Sequence, residues 1–277
     1  MKPYRTLATS AIALVSLLGS PVRADVTLDW VTVSNPYNDP DINGHGNVDE
    51  PYRISRHEVT NQQYSEFLNA KAASDPHGLY HAGMANYGIV RSGTSGAYTY
   101  AATPALAQRP VVYVSWFDAA RFVNWLANGQ GSGDTEDGTY ALAGAMSGVV
   151  AANLSADFRI PSEDQWYKAA FYDPAGPTYT MYAHHGNTLS PTDANYGGTA
   201  SSTTVGAFTA AASAYGTFDQ GGNVWEWNDA VIDTSLRGLR GGSWLDSAAN
   251  LKATTRGKAV PSFESYAIGF RVAAKVP

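Results

Sequence analysis

The stretch from Tyr215 to Trp244 reads YGTFDQGGNVWEWNDAVIDTSLRGLRGGSW and decides how the rest of this sequence is interpreted. It holds three tryptophans, several glycines and several carboxylates, and neither a helical nor a strand period runs through all of it. A segment rich in aromatic, acidic and conformationally free residues, without a regular period, is typical of a functional site.

Two features give this stretch local structure. Gly221-Gly222 supplies a turn that tolerates a positive φ. In the extended chain that follows, Trp225 and Trp227 point to one side and Glu226 points to the other. Two interpretations of the carboxylate follow: it serves a site, or it forms a structural pair with an arginine such as Arg240 over an aromatic core.

The bulk properties favour one exported domain. A chain of 277 residues suffices for a single large domain with a sizeable core. Two basic residues precede the apolar run from Leu7 to Leu18, and Val22-Arg23-Ala24 places small residues before a cleavage point. We therefore predict a signal peptide over residues 1–24, a domain over residues 25–277, and a secreted or periplasmic location after cleavage near Ala24.

Charge and composition exclude several classes of protein. The formal charge is −6, and it becomes −9 without residues 1–24, which contain three basic residues and no acid. We therefore expect no nucleic-acid partner. The chain has no cysteine, which excludes disulfides and thiolate chemistry. After residue 24 no stretch reaches the roughly 18 apolar residues of a membrane span, so no transmembrane segment is predicted.

The pattern of elements predicts an α+β fold. Helix-start signals stand at Thr60, Ser115 and Ser162, each followed by an apolar face. Strands are predicted over Val26–Val33 and Tyr52–Val59. Much of the remaining chain consists of Gly, Ser, Thr and Ala without a period, and no linker or repeat divides it. The expected architecture is a single loop-rich domain with few helices and short strands.

The polar loop from Asp39 to Glu50 reads DPDINGHGNVDE and matches a calcium-loop pattern, with Gly44 at position 6 and Glu50 at position 12. Prolines stand where the flanking helices of such a site would run, and Gly46 replaces the usual apolar residue. The same residue types form ordinary turns. Both interpretations stay open, with the turn favoured.

Six motifs, in order, resemble one known family. They read EVTNQQYSEFLNA from Glu58, RPVVYVSWFDAARFVNWL from Arg109, FRIPSEDQWYKAA from Phe158, YGTFDQGGNVWEW from Tyr215, RGLRGGSW from Arg237 and GFRVA from Gly269. Together they span nearly all of residues 25–277 and resemble the sulfatase-modifying-factor family, whose type member is the formylglycine-generating enzyme. The resemblance implies a loop-rich α+β domain related to C-type lectins.

The resemblance also implies calcium as a cofactor. One calcium site of the family maps onto four positions that offer two side-chain oxygens and two backbone carbonyls: Asp219, Gly222, Val224 and Glu226. A second site maps onto Asn195 and the carbonyl of Tyr196, but the segment that should supply its aspartate is shorter here and contains no acid. We expect one calcium site and an altered or lost second one.

The two catalytic cysteines of the family do not carry over. In the formylglycine-generating enzyme they follow the GGS-aromatic motif and bind copper, and the corresponding residues here are Asp246 and Leu251. Because Cu(I) selects sulfur ligands, we expect no copper centre of the family's thiolate type and no formylglycine generation through one. The candidate ligand contacts in the remaining cleft are Asp246 and Arg256, with Ser243 and Trp244 beside them.

Six histidines leave a metal-dependent alternative. The resemblance extends to ergothioneine-type relatives, which are nonheme-iron oxidases whose three-histidine site lies largely on an added helical bundle. His77 and His81 are spaced for one helix face, but a proline and glycines around them argue against a helix there. We interpret them as surface or core residues, and His184-His185 as packing or loop residues.

Two function hypotheses follow. The favoured one is a secreted, calcium-stabilised module that binds a peptide, a glycan or a surface protein through its aromatic-rich cleft and performs no redox chemistry. The alternative is an iron- or copper-dependent oxidase with a rewired centre built from Asp246 and histidines. Whether the chain is an enzyme therefore stays open at this level.

Overall fold

The computed structural model describes residues 25–277, so the predicted signal peptide lies outside the described residues. Three α-helices are present: α1 (Asn61–Lys71), α2 (Trp116–Ala127) and α3 (Glu163–Phe171). The strands are β1 (Trp30–Val33), β2 (Tyr52–Ser55), β3 (Ile89–Ser92), β4 (Thr99–Ala102), β5 (Phe158–Arg159), β6 (Tyr172–Asp173), β7 (Thr178–Tyr179), β8 (Trp225–Ile232), β9 (Leu236–Arg240), β10 (Gly257–Ala259), β11 (Ile268–Phe270) and β12 (Ala273–Lys275). This is the predicted loop-rich α+β domain.

The three helices begin where the sequence predicted. Thr60, Ser115 and Ser162 are the N-caps of α1, α2 and α3, and each side chain accepts a hydrogen bond from the backbone N–H three residues later. In each case the side chain at that third position bonds back to the N-cap backbone, so all three are full capping boxes. No helix in the described part of the chain is long and apolar enough to cross a membrane.

Two four-stranded sheets organise the domain. The first has the order β1-β2-β12-β5 and is antiparallel throughout. The second has the order β10-β9-β8-β11, in which β8 and β11 run parallel. The strands predicted over Val26–Val33 and Tyr52–Val59 are present as the shorter β1 and β2.

The glycine-rich stretch is more regular than its sequence suggests. It contains β8, the longest strand of the described residues, which forms a hairpin with β9. The register shifts between Trp227 and Val231, and this irregularity interrupts the alternation of side chains. The alternation expected at Trp225, Glu226 and Trp227 lies within β8, and the register shift and the turns explain why no single period covers the whole stretch.

The main core lies between α1, α2 and the inner strands. Phe122 on α2 is fully buried and packs against four other aromatic rings: Tyr64, Phe67, Trp125 and Phe270. Aromatic rings of this size bury a large apolar area and lock one another in place. The core thus fixes the position of β11, and Arg271 of the candidate site follows directly after this strand.

Candidate functional site

Glu226 is fully buried and is paired with Arg271, just past the end of β11. The Nε of Arg271 donates to Oε2 at 2.6 Å, and its Nη2 donates to Oε1 at 2.7 Å. Trp166 Nε1 donates to Oε2 at 2.7 Å. The parallel pairing of β8 and β11 sets Glu226 opposite Gly269, which brings the arginine within reach.

The predicted structural pair therefore exists, but with a different arginine. Arg240 is the register partner of Glu226 in the hairpin, yet its guanidinium binds Glu163 with an Nη2–Oε1 distance of 2.6 Å. Arg256 also holds Glu163, through both carboxylate oxygens. The sequence interpretation named Arg240 only as an example of an arginine partner, whereas Arg271 follows the parallel strand β11 and lies 45 residues after Glu226.

Two more carboxyl groups surround this pair. Burial and the charge of Glu226 raise the pKa of Asp219 to about 6, against the lowering effect of a hydrogen bond from the Gly206 N–H and of Arg271. Burial, followed by the charges of Asp219 and Glu226, raises the pKa of Glu58 well above its ordinary range. Two buried carboxyl groups, Glu58 and Glu226, and the half-buried Asp219 thus face one buried arginine, and we call the three groups the carboxyl cluster.

The carboxyl cluster has oxygen atoms to spare. Oε1 of Glu58 accepts from the Asn223 amide at 2.8 Å, while its Oε2 is buried and finds no partner within residues 25–277. No backbone N–H among those residues bonds to the carbonyls of Gly222 or Val224. A hard cation binds oxygen donors that have no other partner, and the carbonyls of Gly222 and Val224 meet this condition. Both oxygens of Glu226 already accept hydrogen bonds, so a cation there would share this carboxylate with Arg271 and Trp166.

The second implied calcium site is arranged differently. The side chain of Asn195 donates to the Ser201 carbonyl at 2.9 Å and accepts from the Thr199 hydroxyl at 2.5 Å, and its own carbonyl accepts from the Asn223 N–H. The amide thus braces the acid-free segment that follows Tyr196. Its oxygens accept hydrogen bonds from the protein itself.

The residues after the GGSW turn have taken structural roles. Oδ2 of Asp246 accepts three hydrogen bonds, from Ser243 N at 3.0 Å, Ser243 Oγ at 2.5 Å and Trp225 Nε1 at 2.9 Å. Leu251 is buried and packs against Tyr182 and Ala194. Arg256, predicted to share the cleft with Asp246, instead has its guanidinium on Glu163.

Beside Trp244 lies an aromatic surface that the sequence did not single out. Tyr266 is 38% exposed and lies 6.0 Å from the Trp244 ring. Tyr87 stacks on Tyr266 at 5.9 Å and meets Tyr113 edge-on at 5.6 Å. His81 stacks on Tyr113 at 4.5 Å. We call this set the tyrosine face. Its members come from separate loops, so only an unusual tyrosine content could have hinted at it.

A pair of carboxyl groups lies next to the tyrosine face. Asp118 on α2 is buried and accepts from the Ser115 hydroxyl at 2.6 Å. Glu264 lies in the same loop as Tyr266, and its carboxylate is 3.9 Å from His81 Nε2. Burial raises the pKa of Asp118 to about 6, and burial together with the charge of Asp118 raises the pKa of Glu264 to about 8. Around neutral pH this pair holds a proton.

The calcium-like loop from Asp39 to Glu50 is held by protein partners. The Asp41 carboxylate accepts from the Tyr167 hydroxyl and from the Asn43 amide, and the His45 carbonyl accepts from Asp41 N at 2.8 Å. These contacts involve three positions that a calcium loop would direct at the ion. The geometry is that of the favoured turn.

The histidines are dispersed. His77 Nε2 lies 3.5 Å from Glu136, and His81 caps the 3-10 helix Ala82–Asn86, so the two share no helix. His184 stacks on Tyr182, and His185 Nε2 lies 3.0 Å from Asp173. Among residues 25–277, no three His, Cys, Asp or Glu side chains are arranged to hold a metal ion. The four implied calcium ligands do not form such a cluster, because two of them are side chains and the other two are backbone carbonyls.

The fold and the site define a loop-rich α+β domain in which a GGSW turn and a buried carboxyl cluster lie side by side. Residues 33–276 match the model of the sulfatase-modifying factor enzyme 1-like domain, and the chain belongs to this family. The expected family is thereby confirmed.

Named relatives include active and inactive members. The chain is 29% identical to hercynine oxygenase of Mycobacterium tuberculosis over 258 residues, which covers 82% of this chain and 53% of that protein. It is 30% identical to inactive C-alpha-formylglycine-generating enzyme 2 of Bos taurus over 184 residues, which covers 59% of this chain and 50% of that one. The chain thus spans about half the length of the curated relatives it matches.

Solved structures show the same fold. CarF superposes with a TM-score of 0.61 at 22% identity, covering 91% of this chain and 99% of CarF. Treponema denticola variable protein 1 superposes with a TM-score of 0.60 at 20% identity, covering 93% and 100% of the two chains. PvdO from Pseudomonas aeruginosa gives 0.53 at 20% identity, covering 90% and 92%.

We predict that Arg271→Met strongly destabilises the protein. The substitution leaves the buried Glu226 without its cation and removes the positive charge that faces Glu58 and Asp219, and breaking a buried pair in this way costs about 3–5 kcal/mol. Arg256→Met is the matched control, since Arg256 is 39% exposed and its partner Glu163 keeps Arg240. Urea unfolding measures both free energies. Equal losses in the two variants would contradict a special role of the carboxyl cluster.

A second prediction concerns pH. Because the folded-state pKa values of Glu264 and Asp118 are raised above their unfolded values, the folded state binds more protons, so stability is lost as pH rises from about 5 to about 8. Glu264→Gln should reduce the loss of unfolding free energy over this pH range by about 1 kcal/mol or more. The control is Glu66→Gln on the exposed face of α1. Unchanged pH dependence of the melting temperature in Glu264→Gln would refute the shared proton.

Proposed function

We propose that this protein is a secreted, calcium-stabilised ligand-binding module that does not generate formylglycine. The observation that carries the proposal is the state of the two cysteine positions. Asp246 is bound by Ser243 and Trp225, and Leu251 is buried in an apolar cluster, while Tyr266 in the neighbouring tyrosine face is 38% exposed. The site keeps a surface for binding but has no sulfur for redox chemistry.

Calcium would be held by Asp219 and Glu226 with the carbonyls of Gly222 and Val224. A divalent cation there supplies the positive charge that Arg271 alone does not provide for three carboxyl groups. The protein's own part is to bury these groups and to fix the loop through the Gly206 N–H, which donates to Asp219 at 2.6 Å. The role is structural.

The ligand would dock on the tyrosine face. Exposed aromatic rings with hydroxyl edges bind ligands that are apolar on one side and polar on the other, and they lose little conformational entropy on binding. Stacking of Tyr87 on Tyr266 orders the face in advance. A peptide, a glycan and a surface protein are all compatible with such a face.

The similarity to hercynine oxygenase favours a second candidate, an iron- or copper-dependent oxidase with a rewired centre. The geometry supports it less, because Asp246 is engaged by its neighbours and takes part in none of the histidine–carboxylate contacts among residues 25–277. Metal analysis of the purified protein separates the candidates. One equivalent of iron or copper, or oxidation of a cysteine in a sulfatase-derived peptide, would overturn the binding-only proposal.

We predict that calcium raises the melting temperature and that a chelator lowers it. A ligand at 100 times its dissociation constant stabilises the folded state by about 2.7 kcal/mol. Asp219→Ala should abolish the calcium effect, whereas Asp39→Ala, in the other calcium-like loop, should retain it. The reverse result would place the ion in the loop from Asp39 to Glu50, and a lack of any calcium effect would remove calcium from the proposal.

We also predict that Tyr266→Ala weakens ligand binding at least tenfold. The mature protein is screened on glycan and peptide arrays with calcium and with chelator, and the best ligand is then titrated. Tyr37→Ala is the control, because Tyr37 is 76% exposed and takes no part in the tyrosine face. Binding that survives Tyr266→Ala would show that the ligand docks elsewhere.

A further inference from the structure

A surface pocket adjoins the tyrosine face. Its volume is about 340 Å³, and Tyr87 belongs to both the pocket and the face. The other lining residues are mostly polar: Asn86, Leu106, Arg109, Ala200, Ser201 and Ser202. A ligand lying on the tyrosine rings would extend directly into this pocket.

Arg109 is the charged group of the pocket. Its Nη1 donates to Ser201 Oγ at 2.6 Å. Its Nε is buried and without a partner, and within residues 25–277 no carboxylate lies within 4.0 Å of the guanidinium. The backbone around it is fixed, since the Arg109 carbonyl accepts from the Asn61 N–H at 2.9 Å. The guanidinium is therefore held in place with donors unused.

The two donors of Arg109 without a partner, Nε and Nη2, lie on one edge of the guanidinium, and other arginines of the chain show which groups this edge binds. Three other arginines use the same edge, Nε together with Nη2, to bind both oxygens of a glutamate: Arg121, Arg256 and Arg271. This side-on geometry matches two oxygens of a carboxylate or a sulfate. In Arg109 neither Nε nor Nη2 bonds to any group among the described residues.

We propose that the Arg109 pocket binds the acidic group, a carboxylate or a sulfate, of a saccharide whose sugar ring stacks on the tyrosine face. The inference rests on the proposed ligand-binding function and narrows its ligand class. Arg109 lines the pocket and would donate to the anion through Nη2, since its Nε is buried, and Ser201 and Ser202 border the space next to it. The pocket gives local positive charge on a chain whose formal charge is −6.

The lining favours a sugar over an acidic peptide. A sugar ring presents C–H groups on its face and hydroxyls around its edge, which complement flat tyrosine rings beside serine hydroxyls and the Asn86 amide. Extended peptides are commonly recognised by main-chain hydrogen bonds along a strand edge. The pocket is lined by loop residues and a 3-10 helix, which offer no such edge.

The test compares matched ligands on matched variants. The full mature protein, Arg109→Gln, Tyr266→Ala and the control Arg159→Gln are applied to an array of uronate saccharides with their methyl esters, sulfated saccharides with their unsulfated forms, and oligoglutamate peptides. Arg159 donates to the Leu154 carbonyl outside the pocket. The strongest acidic and neutral pair is then titrated by calorimetry at two salt concentrations.

We expect the acidic saccharide to bind at least tenfold more tightly than its neutral partner, and Arg109→Gln to remove that difference while neutral binding persists. Arg159→Gln should behave as the parent protein. A difference that survives Arg109→Gln, or Arg109-dependent binding of oligoglutamate without any acidic saccharide, overturns the inference. Equal binding of the acidic saccharide and its neutral partner, dependent on Tyr266 in both cases, overturns the inference but leaves the proposed function standing. If no ligand on the array binds in a way that depends on Tyr266, the proposed function is overturned as well.

Discussion

The buried ion pair between Glu226 and Arg271 is the contact on which the site depends. It joins β8 to the segment after β11, and the same guanidinium also donates to the carbonyls of Ser55 and Phe218. One side chain therefore ties together both sheets and the glycine-rich turn. A charge pair of this kind is costly to bury unless every donor is used, and Arg271 uses its donors on the carboxylate and on loop carbonyls.

Features encoded by neighbouring residues were predictable from the sequence. The capping boxes at Thr60, Ser115 and Ser162 fixed the helix starts, because their hydrogen bonds span only three residues. The strand β8 and the partner of Glu226 were harder. The register shift in β8 interrupts the alternation of its side chains. Its parallel pairing with β11 joins segments far apart in the chain, so the sequence near Glu226 gives no sign of it. The family motifs supplied what local patterns could not.

The tyrosine face and the Arg109 pocket were invisible in the sequence for the same reason. Tyr87, Tyr113 and Tyr266 lie far apart in the chain and meet only after folding. By contrast, the absence of cysteine was plain from the sequence. The structure adds what surrounds the two residues that the family resemblance matches to cysteines: the carboxylate of Asp246 bonds within its own turn, and Leu251 completes an apolar cluster.

The position of β12 has a consequence for the order of events during folding. This strand, at the end of the described chain, lies between β2 and β5 in the first sheet, and Arg271 immediately precedes it. The N-terminal strands consequently lack this central neighbour until β12 itself has been synthesised. Contacts of such long sequence separation close late. The first sheet therefore cannot be completed, and Glu226 cannot gain its arginine, before residues 271–275 have been made.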